Sequence, residues 1–235
     1  MKVRIKFAKH GAMKFIGHLD IMRYFQKAIR RSGIDIAYSE GFSPHQIMSF
    51  AAPLGVGMES NGEYFDIEAV SVTSSIDMIQ RLNAAMTEGI EILSIKALPE
   101  NVGNAMASVA AAEYTITFRK GYEPNFDWKS QFETFYAKPT ILVTKKTKKS
   151  EKELDLKPYI YSLNIEAEAI NMCVNASSSG NIKPSLVMEA FYKEIGAELS
   201  EFALEITREE TLANIGTEEK PNFVPLDALG TEIVG

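Results

Sequence analysis

The side chains best suited to acid–base chemistry near neutral pH lie close together in the sequence. All three histidines, His10, His18 and His45, fall within the first 45 of 235 residues. Histidine titrates near pH 7, so two histidines that converge on a phosphodiester could act as general acid and general base. His18 and His45 are therefore the candidate catalytic residues. The alternative is that His18 anchors the start of a helix and that His45 orients the loop after Pro44.

A larger set of residues in the same region could bind a phosphate-rich ligand. A basic helix is followed by a polar loop with the sequence Gly-Phe-Ser-Pro-His, and aromatic side chains in such a loop could stack on a base. The candidate residues for binding RNA or another anion are Arg23, Lys27, Arg30, Arg31, Tyr38, Ser39, Phe42, Ser43 and His45. The residues expected to support them structurally are Asp20, Gly41, Pro44, Glu63 and Asp66, with Glu63 and Asp66 bracing the loop.

The distribution of charge also favours a localised anionic partner. Residues 1–45 contain nine Lys or Arg against three acids, a local charge of +6, although the whole chain carries −6. A basic segment on an acidic protein indicates one anion-binding surface and argues against general coating of nucleic acid. The alternative is a charged face that only contacts solvent.

Several other kinds of site lack support in the sequence. It contains no GxxxxGK[ST], GxGxxG or GxSxG motif and no HxxxH or Cys/His set, so we expect no metal site and no cofactor. The single cysteine, Cys173, lies in an apolar–polar alternation typical of a packed thiol, and its isolation fits a cytoplasmic protein. The start of the chain alternates charged and apolar residues, unlike a signal peptide, and no apolar run predicts a membrane span.

The elements that must position these residues predict an α+β protein. Apolar periodicity over residues 1–98 gives the order β-α-β-β-α-β of a ferredoxin-like domain, with a basic amphipathic helix from about His18 to Ser32. Asn61-Gly62 is a strong hairpin signal. We predict two tandem ferredoxin-like domains, the second ferredoxin-like or a variant with an extra strand. The predicted boundaries are 1–98 for the first domain, 99–112 for a linker, 113–211 for the second domain and 212–235 for a mobile tail. Lys145 to Lys152 are expected to form a solvated hairpin tip that could also touch a phosphate backbone.

The region from residue 14 to 68 resembles a known bacterial family, the radical SAM-linked domain of unknown function in its stand-alone form. The resemblance covers about a quarter of the chain and rests on His18-Leu19-Asp20, Arg23, Ala28, Arg30-Arg31, Ser39, Gly41-Phe42, Pro44-His45, Ser49, Pro53-Leu54, Gly57, Ser60, Glu63-Tyr64 and Asp66. Two residues depart from the family pattern: Gly17 stands where Ser is usual, and Gln46 where Pro is frequent.

The resemblance implies a partner in radical SAM chemistry. Stand-alone members of that family look like companions of a radical SAM protein, and often of ribonuclease and ribosomal-protein genes, which implies RNA or ribosome-associated factors as further partners. With one cysteine, this chain has no CxxxCxxC motif to hold an iron–sulfur cluster. The leading hypothesis is a non-catalytic RNA-binding or substrate-presenting module. The alternatives are a metal-independent RNA-processing or RNA-modifying enzyme that uses His18 and His45, and a protein-interaction scaffold whose acidic second half binds a partner.

Overall fold

The computed structural model describes residues 1–146 and 151–235, which form a mixed α+β structure with a large, mostly antiparallel sheet and few helices. Two compact units are present, the first made of Met1–Ala112 and Thr207–Gly235 and the second of Glu113–Ile206. The strands are β1 (Lys2–Lys9), β2 (Met48–Phe50), β3 (Glu59–Glu68), β4 (Ile90–Ala97), β5 (Ala111–Phe118), β6 (Leu142–Lys146), β7 (Glu151–Asp155), β8 (Ile160–Glu166), β9 (Ala169–Asn175), β10 (Leu204–Asn214), β11 (Phe223–Pro225) and β12 (Thr231–Glu232). The helices are α1 (His18–Ser32), α2 (Ser75–Ala84), α3 (Ala105–Ser108), α4 (Trp128–Tyr136) and α5 (Pro184–Glu194), with short 3-10 helices at Gly11–Phe15, Lys157–Tyr159 and Leu226–Leu229.

The first unit contains the predicted element order β1-α1-β2-β3-α2-β4. Its strands lie in the order β4-β1-β3, with β2 on the far side of β3, and all of these neighbours are antiparallel. β10 pairs with the opposite end of β3 in parallel, through Thr207 with Glu59 and Arg208 with Ser60.

The core of the first unit follows from period-two alternation in β1 and helical periodicity in α1. Val3, Ile5 and Phe7 point to one face of the sheet, where they are at most 2% exposed. Phe25 of α1 packs on that face, and its ring centroid lies 4.7 Å from those of both Phe7 and Phe65. This apolar packing orients α1, so the opposite side of the helix, which carries its basic residues, faces solvent.

The second unit contains β5, β9 and β8 in that order, and β6 and β7 form a separate two-stranded sheet. α4 and α5 contact each other through Phe132 and Phe191, whose ring centroids are 4.9 Å apart. The hairpin tip predicted for Lys145 to Lys152 includes residues 147–150, which lie outside the described residues. The flanking strands β6 and β7 pair in antiparallel register.

The segments predicted as linker and mobile tail instead contain ordered elements of the first unit. Residues 105–108 form α3, whose N-cap residue Asn104 accepts a hydrogen bond from the backbone of Ala107. At the C-terminus, β11 pairs with β10, and β12 pairs with β4. Ile233 is 9% exposed and belongs to the main apolar cluster, where its backbone N–H donates to Ser75 Oγ. Isolated anchors such as Ile233 produce no hydrophobic periodicity, which explains why composition alone predicted a tail.

Asn61-Gly62 does not form the predicted hairpin turn. Both residues lie inside β3, which begins at Glu59. A Cβ atom on Gly62 would lie 2.6 Å from the Cα of Glu210, because β10 approaches β3 closely at this point. Glycine is thus required here by a close approach of two backbones, a cause that depends on residues far away in the sequence.

Candidate functional site

The outward face of α1 carries cations that have few partners. Arg23, Lys27 and Arg30 are exposed. Arg23 Nη1 lies 3.3 Å from Asp20 Oδ1, but the two side chains are 71% and 68% exposed. A solvent-exposed ion pair of this kind contributes little to stability. Neither Lys27 nor Arg30 makes an ion pair with any residue in the described part of the chain. These three side chains are therefore available to a phosphate-bearing ligand.

Arg31 differs from the other basic residues of α1. Its Nη2 donates to the carbonyl oxygen of Ala85 at 2.9 Å, which ties the last turn of α1 to the end of α2. Gly33 ends the helix in the left-handed conformation, with φ of 66°. Arg31 thus helps to hold α1 against α2, although its side chain remains exposed.

The loop after α1 is closed by a compact set of hydrogen bonds between Ser39 and His45. Ser39 Oγ lies 2.8 Å from His45 Nδ1 and accepts from the His45 backbone N–H at 3.1 Å. The Ser39 N–H donates to the His45 carbonyl at 2.9 Å. Residues 40–44 therefore form a short closed loop, in which Gly41 has a φ of 106° that favours glycine. We refer to residues 39–45 as the apical loop.

The apical loop projects from the same end of the first unit at which α1 finishes. Register places Met48 opposite Ile67 near the end of β3, and an isolated bridge joins Ile36 to Ala69. The Ala37 N–H donates to the Glu68 carbonyl and the Glu68 N–H donates to the Ile47 carbonyl, so the segment that includes the Tyr38–Gln46 bridge leaves the sheet beside Glu68, the last residue of β3. Because α1 runs antiparallel to β1 and Lys2 pairs with Glu68, the C-terminal turns of α1 lie at this end as well. The structure thus brings the basic helix end and the apical loop to one end of the unit.

The aromatic residues in and next to the apical loop and in the strands that follow it separate into exposed and buried groups. Phe42 in the apical loop is fully exposed, with a relative accessibility of 111%, and Tyr38 is 48% exposed. Phe50, Tyr64 and Phe65 are buried and belong to the packing of the first unit. Ser43 and Pro44 are exposed beside Phe42. Gln46 is buried directly behind the loop, and its Oε1 has no hydrogen-bond partner among the described residues.

The two candidate catalytic histidines have separate surroundings. His18 begins α1, and its ring packs edge-on against Phe50 with 5.5 Å between centroids. His45 closes the apical loop through Ser39. In the described residues no hydrogen bond or ring contact joins His18 to His45. The remaining histidine, His10, lies 3.3 Å from Glu59.

Glu63 and Asp66, predicted to brace the loop, hold buried ion pairs elsewhere. The Arg4 guanidinium is fully buried and donates to both carboxylate oxygens of Asp66, at 2.8 and 2.9 Å. Arg208 Nη1 donates to Glu63 Oε1 at 2.8 Å, and Ser60 Oγ donates to the same oxygen at 2.8 Å. A buried charge is tolerated only when it is paired and hydrogen-bonded, so both acids hold neighbouring strands together. In the described part of the chain, no side-chain hydrogen bond or ion pair joins either acid to residues 39–45.

Sequence analysis missed Arg4 and Arg208, the partners of these acids. The signal for Arg4 was its position on the polar side of β1, opposite an acid once β1 and β3 pair. Arg208 gives no such signal, because 145 residues separate it from Glu63.

Most basic residues of β1 and the segment after it are already paired, which lowers the charge available to a ligand. Lys6 lies 2.5 Å from Glu210, and Lys14 lies 3.4 Å from Glu59. Lys9 is buried and donates to the Ile16 carbonyl at 2.9 Å, and burial lowers the pKa of its amine. With Arg4 bound to Asp66, the Lys and Arg residues within residues 1–45 that stay exposed are those of α1 together with Lys2, whose amine donates to the Val102 carbonyl.

Beneath the paired lysines, Tyr64 donates to Glu210 at 2.8 Å and lies 3.3 Å from Asp227. Burial and the two neighbouring carboxylates raise the pKa of Tyr64 far above its ordinary value. The phenol therefore stays protonated and acts as a fixed hydrogen-bond donor that links β3 to the C-terminal segment.

Three further findings concern metal binding, the cysteine thiol and membrane-spanning helices. Among the described residues, no three His, Cys, Asp or Glu side chains are grouped so that they could hold a metal ion. Burial raises the pKa of the Cys173 thiol to about 12, so the thiolate is not formed near neutral pH. No helix in the described parts of the chain is long and apolar enough to cross a membrane.

Comparison with known proteins gives a family and a distant structural neighbour. No curated protein matches the sequence. The fold is similar to a chain in a solved structure titled "Crystal Structure of a Cbf5-Nop10-Gar1 Complex", at 10% identity and a TM-score of 0.45. The similarity covers 89% of this chain and 48% of that one, so the chain spans about half the length of this neighbour. Residues 2–184 match the family described as an uncharacterized protein conserved in bacteria (DUF2344), and the chain therefore belongs to that family.

Proposed function

We propose that the protein is a non-catalytic RNA-binding or substrate-presenting partner of a radical SAM enzyme in RNA- or ribosome-linked metabolism. The observation that carries this proposal is the outward face of α1. Arg23, Lys27 and Arg30 are exposed there, and two of them lack an ion-pair partner among the described residues. Exposed cations in a row along a helix bind a phosphate backbone and release counterions.

Nearby acids limit the strength of this binding and localise it. Glu40 in the apical loop and Asp35 before it are exposed at the same end, and the Asp35 carboxylate accepts a hydrogen bond from Ser71 at 2.8 Å. These two acids weaken the attraction at this end, and the net charge of −6 disfavours RNA binding by the rest of the chain. Binding should therefore be confined to the α1 face and the apical loop.

The radical SAM part of the proposal comes from the resemblance of residues 14–68 to the radical SAM-linked domain. Radical SAM chemistry needs a cluster held by several cysteine thiolates, and this chain has one cysteine, buried at Cys173. The iron–sulfur cluster would belong to a separate protein, and this chain would hold or present the RNA. The proposed setting is cytoplasmic.

RNA binding is tested by a salt series on two variants with the same loss of charge. In Lys27→Gln/Arg30→Gln, the outward face of α1 loses two cations. In the control Lys120→Gln/Lys193→Gln, two exposed lysines of the second unit are neutralised. Loss of two phosphate contacts should reduce the slope of log K against log salt by about 1.4, and the control should keep the parent slope. RNA affinity that is independent of salt, or equal in the two variants, contradicts the proposal.

The partnership is tested with the purified radical SAM protein of the same bacterium. We expect the two proteins and a labelled RNA to form a complex whose RNA affinity exceeds that of either protein alone. A radical SAM protein that neither binds this chain nor changes its RNA affinity would remove that half of the proposal and leave RNA binding intact.

A second candidate function, an RNA-processing enzyme, is favoured by one observation. Ser39 Oγ and His45 Nδ1 are 2.8 Å apart, which is within reach for proton transfer. The same Ser39 oxygen also accepts from the His45 backbone, and within the described residues no carboxylate contacts the His45 ring. Any RNA turnover that survives both His45→Ala and His18→Ala would eliminate this candidate.

The finer description of the fold also remains a proposal. We infer two tandem ferredoxin-like halves, the second with the β6–β7 hairpin inserted. The strand orders β4-β1-β3-β2 and β10-β5-β9-β8 support this inference, because each repeats the 4-1-3-2 order of the split βαβ pattern.

A further inference from the structure

The apical loop carries one large aromatic side chain, Phe42, that is fully exposed to solvent. Phe42 has a relative accessibility of 111%, the highest among the exposed large apolar residues of the described chain. An aromatic side chain of this size normally contributes to a core or an interface, and leaving it in water forfeits that contribution. Phe42 therefore has no role in stabilising the fold through packing.

The loop that carries Phe42 is shaped to keep it exposed. Ser39 and His45 close the base with three hydrogen bonds, Gly41 turns the backbone with a φ of 106°, and Pro44 fixes the other side. A closed loop loses less conformational entropy on binding than an open one, so the ring is preorganised for a ligand.

The neighbouring charges indicate what that ligand is. Lys27 and Arg30 lie within the last two turns of α1, at the same end of the unit, and they supply the contacts that a phosphate backbone needs. Aromatic rings bind nucleic acid by stacking on a base face, and a base face is accessible only in an unpaired nucleotide. Positive charge at the same end of the unit as a single exposed ring thus matches a single strand and not a duplex.

We propose that the apical loop binds unpaired RNA, with one base stacked on Phe42 and the adjacent phosphates on the α1 cations. This rests on the proposed function, since it specifies which RNA that same surface takes. Stacking has little dependence on base identity, so the surface selects single-stranded character and not sequence. The partner enzyme would then receive an RNA whose target nucleotide is already out of a helix.

The test measures binding of the full chain to a labelled single-stranded RNA of about 12 nucleotides and to a blunt duplex of the same length. The variants are Phe42→Leu, which keeps an apolar side chain without a ring face, and Phe42→Trp, which keeps the ring. Phe202→Leu is the matched control, because Phe202 is 59% exposed in the second unit. All measurements are made at one low salt concentration and repeated across a salt series.

We expect Phe42→Leu to weaken single-strand binding roughly 10-fold, the size of one stacking contact, without changing duplex binding. Phe42→Trp and Phe202→Leu should bind like the parent. The salt slope of Phe42→Leu should also equal that of the parent, because no charge is removed. This separates stacking on Phe42 from the electrostatic contribution of α1.

Three results would overturn the inference in distinguishable ways. If single strand and duplex bind equally, or Phe42→Leu binds single strand like the parent, while Lys27→Gln/Arg30→Gln still lowers the salt slope, the inference fails and the proposed function stands. If neither RNA binds, both fail. Loss of binding to the radical SAM protein in Phe42→Leu, with RNA affinity unchanged, would make Phe42 a protein contact and also overturn the inference.

Discussion

Replacing Asp66 with Asn should lower the free energy of unfolding by about 3–5 kcal/mol, the cost of breaking a buried ion pair from one side. Arg4 is fully buried, and Asp66 accepts from it at 2.8 and 2.9 Å. Asn keeps the size of the side chain but removes the charge and replaces one acceptor by an NH₂ donor. Two charge-assisted hydrogen bonds at about 1.5–3 kcal/mol each give a cost of the same size.

The remaining contacts of Arg4 keep the guanidinium in place after this change. It donates to the carbonyls of Leu226 at 3.1 Å and Gly103 at 3.3 Å, so it cannot move to solvent without leaving those groups unsatisfied. The variant therefore leaves a buried, uncompensated cation. A double variant, Arg4→Met/Asp66→Leu, removes both charges and should be more stable than Asp66→Asn.

The assay is urea unfolding followed by far-UV circular dichroism, with Glu68→Gln as the matched control. Glu68 is exposed on the same strand, two residues after Asp66, and its substitution should change stability by no more than about 0.5 kcal/mol. The only tryptophan, Trp128, lies in the second unit, so its fluorescence reports that unit separately. RNA binding by Asp66→Asn under native conditions should keep the parent salt slope.

A loss of less than about 1 kcal/mol in Asp66→Asn would refute this account of the buried pair. So would additivity in the cycle formed by Arg4→Met, Asp66→Leu and their double variant, because two residues that share two hydrogen bonds must show a coupling energy. A reduced salt slope in Asp66→Asn would support its predicted role in bracing the loop and contradict its assignment to strand pairing alone.

Three other perturbations test separate parts of the structure. Ile233→Ala should cost about 2 kcal/mol in urea unfolding, since Ile233 is 9% exposed in the main core, whereas a mobile tail would show no effect. Glu40→Gln should tighten RNA binding several-fold at low salt, because it removes an exposed acid from the apical loop; unchanged affinity would place the RNA elsewhere. Burial raises the pKa of Glu59, but hydrogen bonds from His10, Gly11 and Lys14 outweigh it and leave the pKa below its ordinary 4.5. The ionised Glu59 therefore contributes stability above pH 4.5, and this contribution is lost as pH falls through the lower pKa of the folded state. The urea midpoint of Glu59→Gln should consequently fall less between pH 5 and pH 3 than the urea midpoint of the parent.

Hydrophobic periodicity predicted the helices and strands whose pattern is set by nearby residues. It gave the wrong local structure where contacts with distant residues determine the backbone conformation. α1 begins at His18 and ends at Ser32, as its apolar stripe and the following Gly33 predict. The apolar residues Val3, Ile5 and Phe7 of β1 share a buried face as predicted, but the other face is largely covered too, since Arg4 and Lys9 are also buried. Gly62, in contrast, lies inside a strand because β10 approaches it, and no local rule distinguishes that glycine from one in a turn.

The candidate site shows the same division between local and distant causes. The exposure of Arg23, Lys27 and Arg30 follows from the helical pattern, which places them opposite the apolar stripe. Asp66 lies in the polar motif that the sequence singled out. Its charge, however, pairs with a buried arginine 62 residues earlier in the chain. A cluster of acids and bases in sequence thus predicts that charges will be paired, without showing which of them remain available to a ligand.

Under the proposed function, the number of cations that remain available determines how tightly the protein holds RNA. Three phosphate contacts give a salt slope of about −2 for a single strand, and sequence-independent contacts of this kind correspond to dissociation constants of about 10⁻⁴ to 10⁻⁶ M. Such binding is too weak to hold one RNA for processing. A second protein that binds both this chain and the RNA makes the contact intramolecular, with an effective concentration in the millimolar range. A weak α1 face therefore fits the proposed role in presentation, because RNA would stay bound while the proposed enzyme partner is present and would dissociate once that contact is lost.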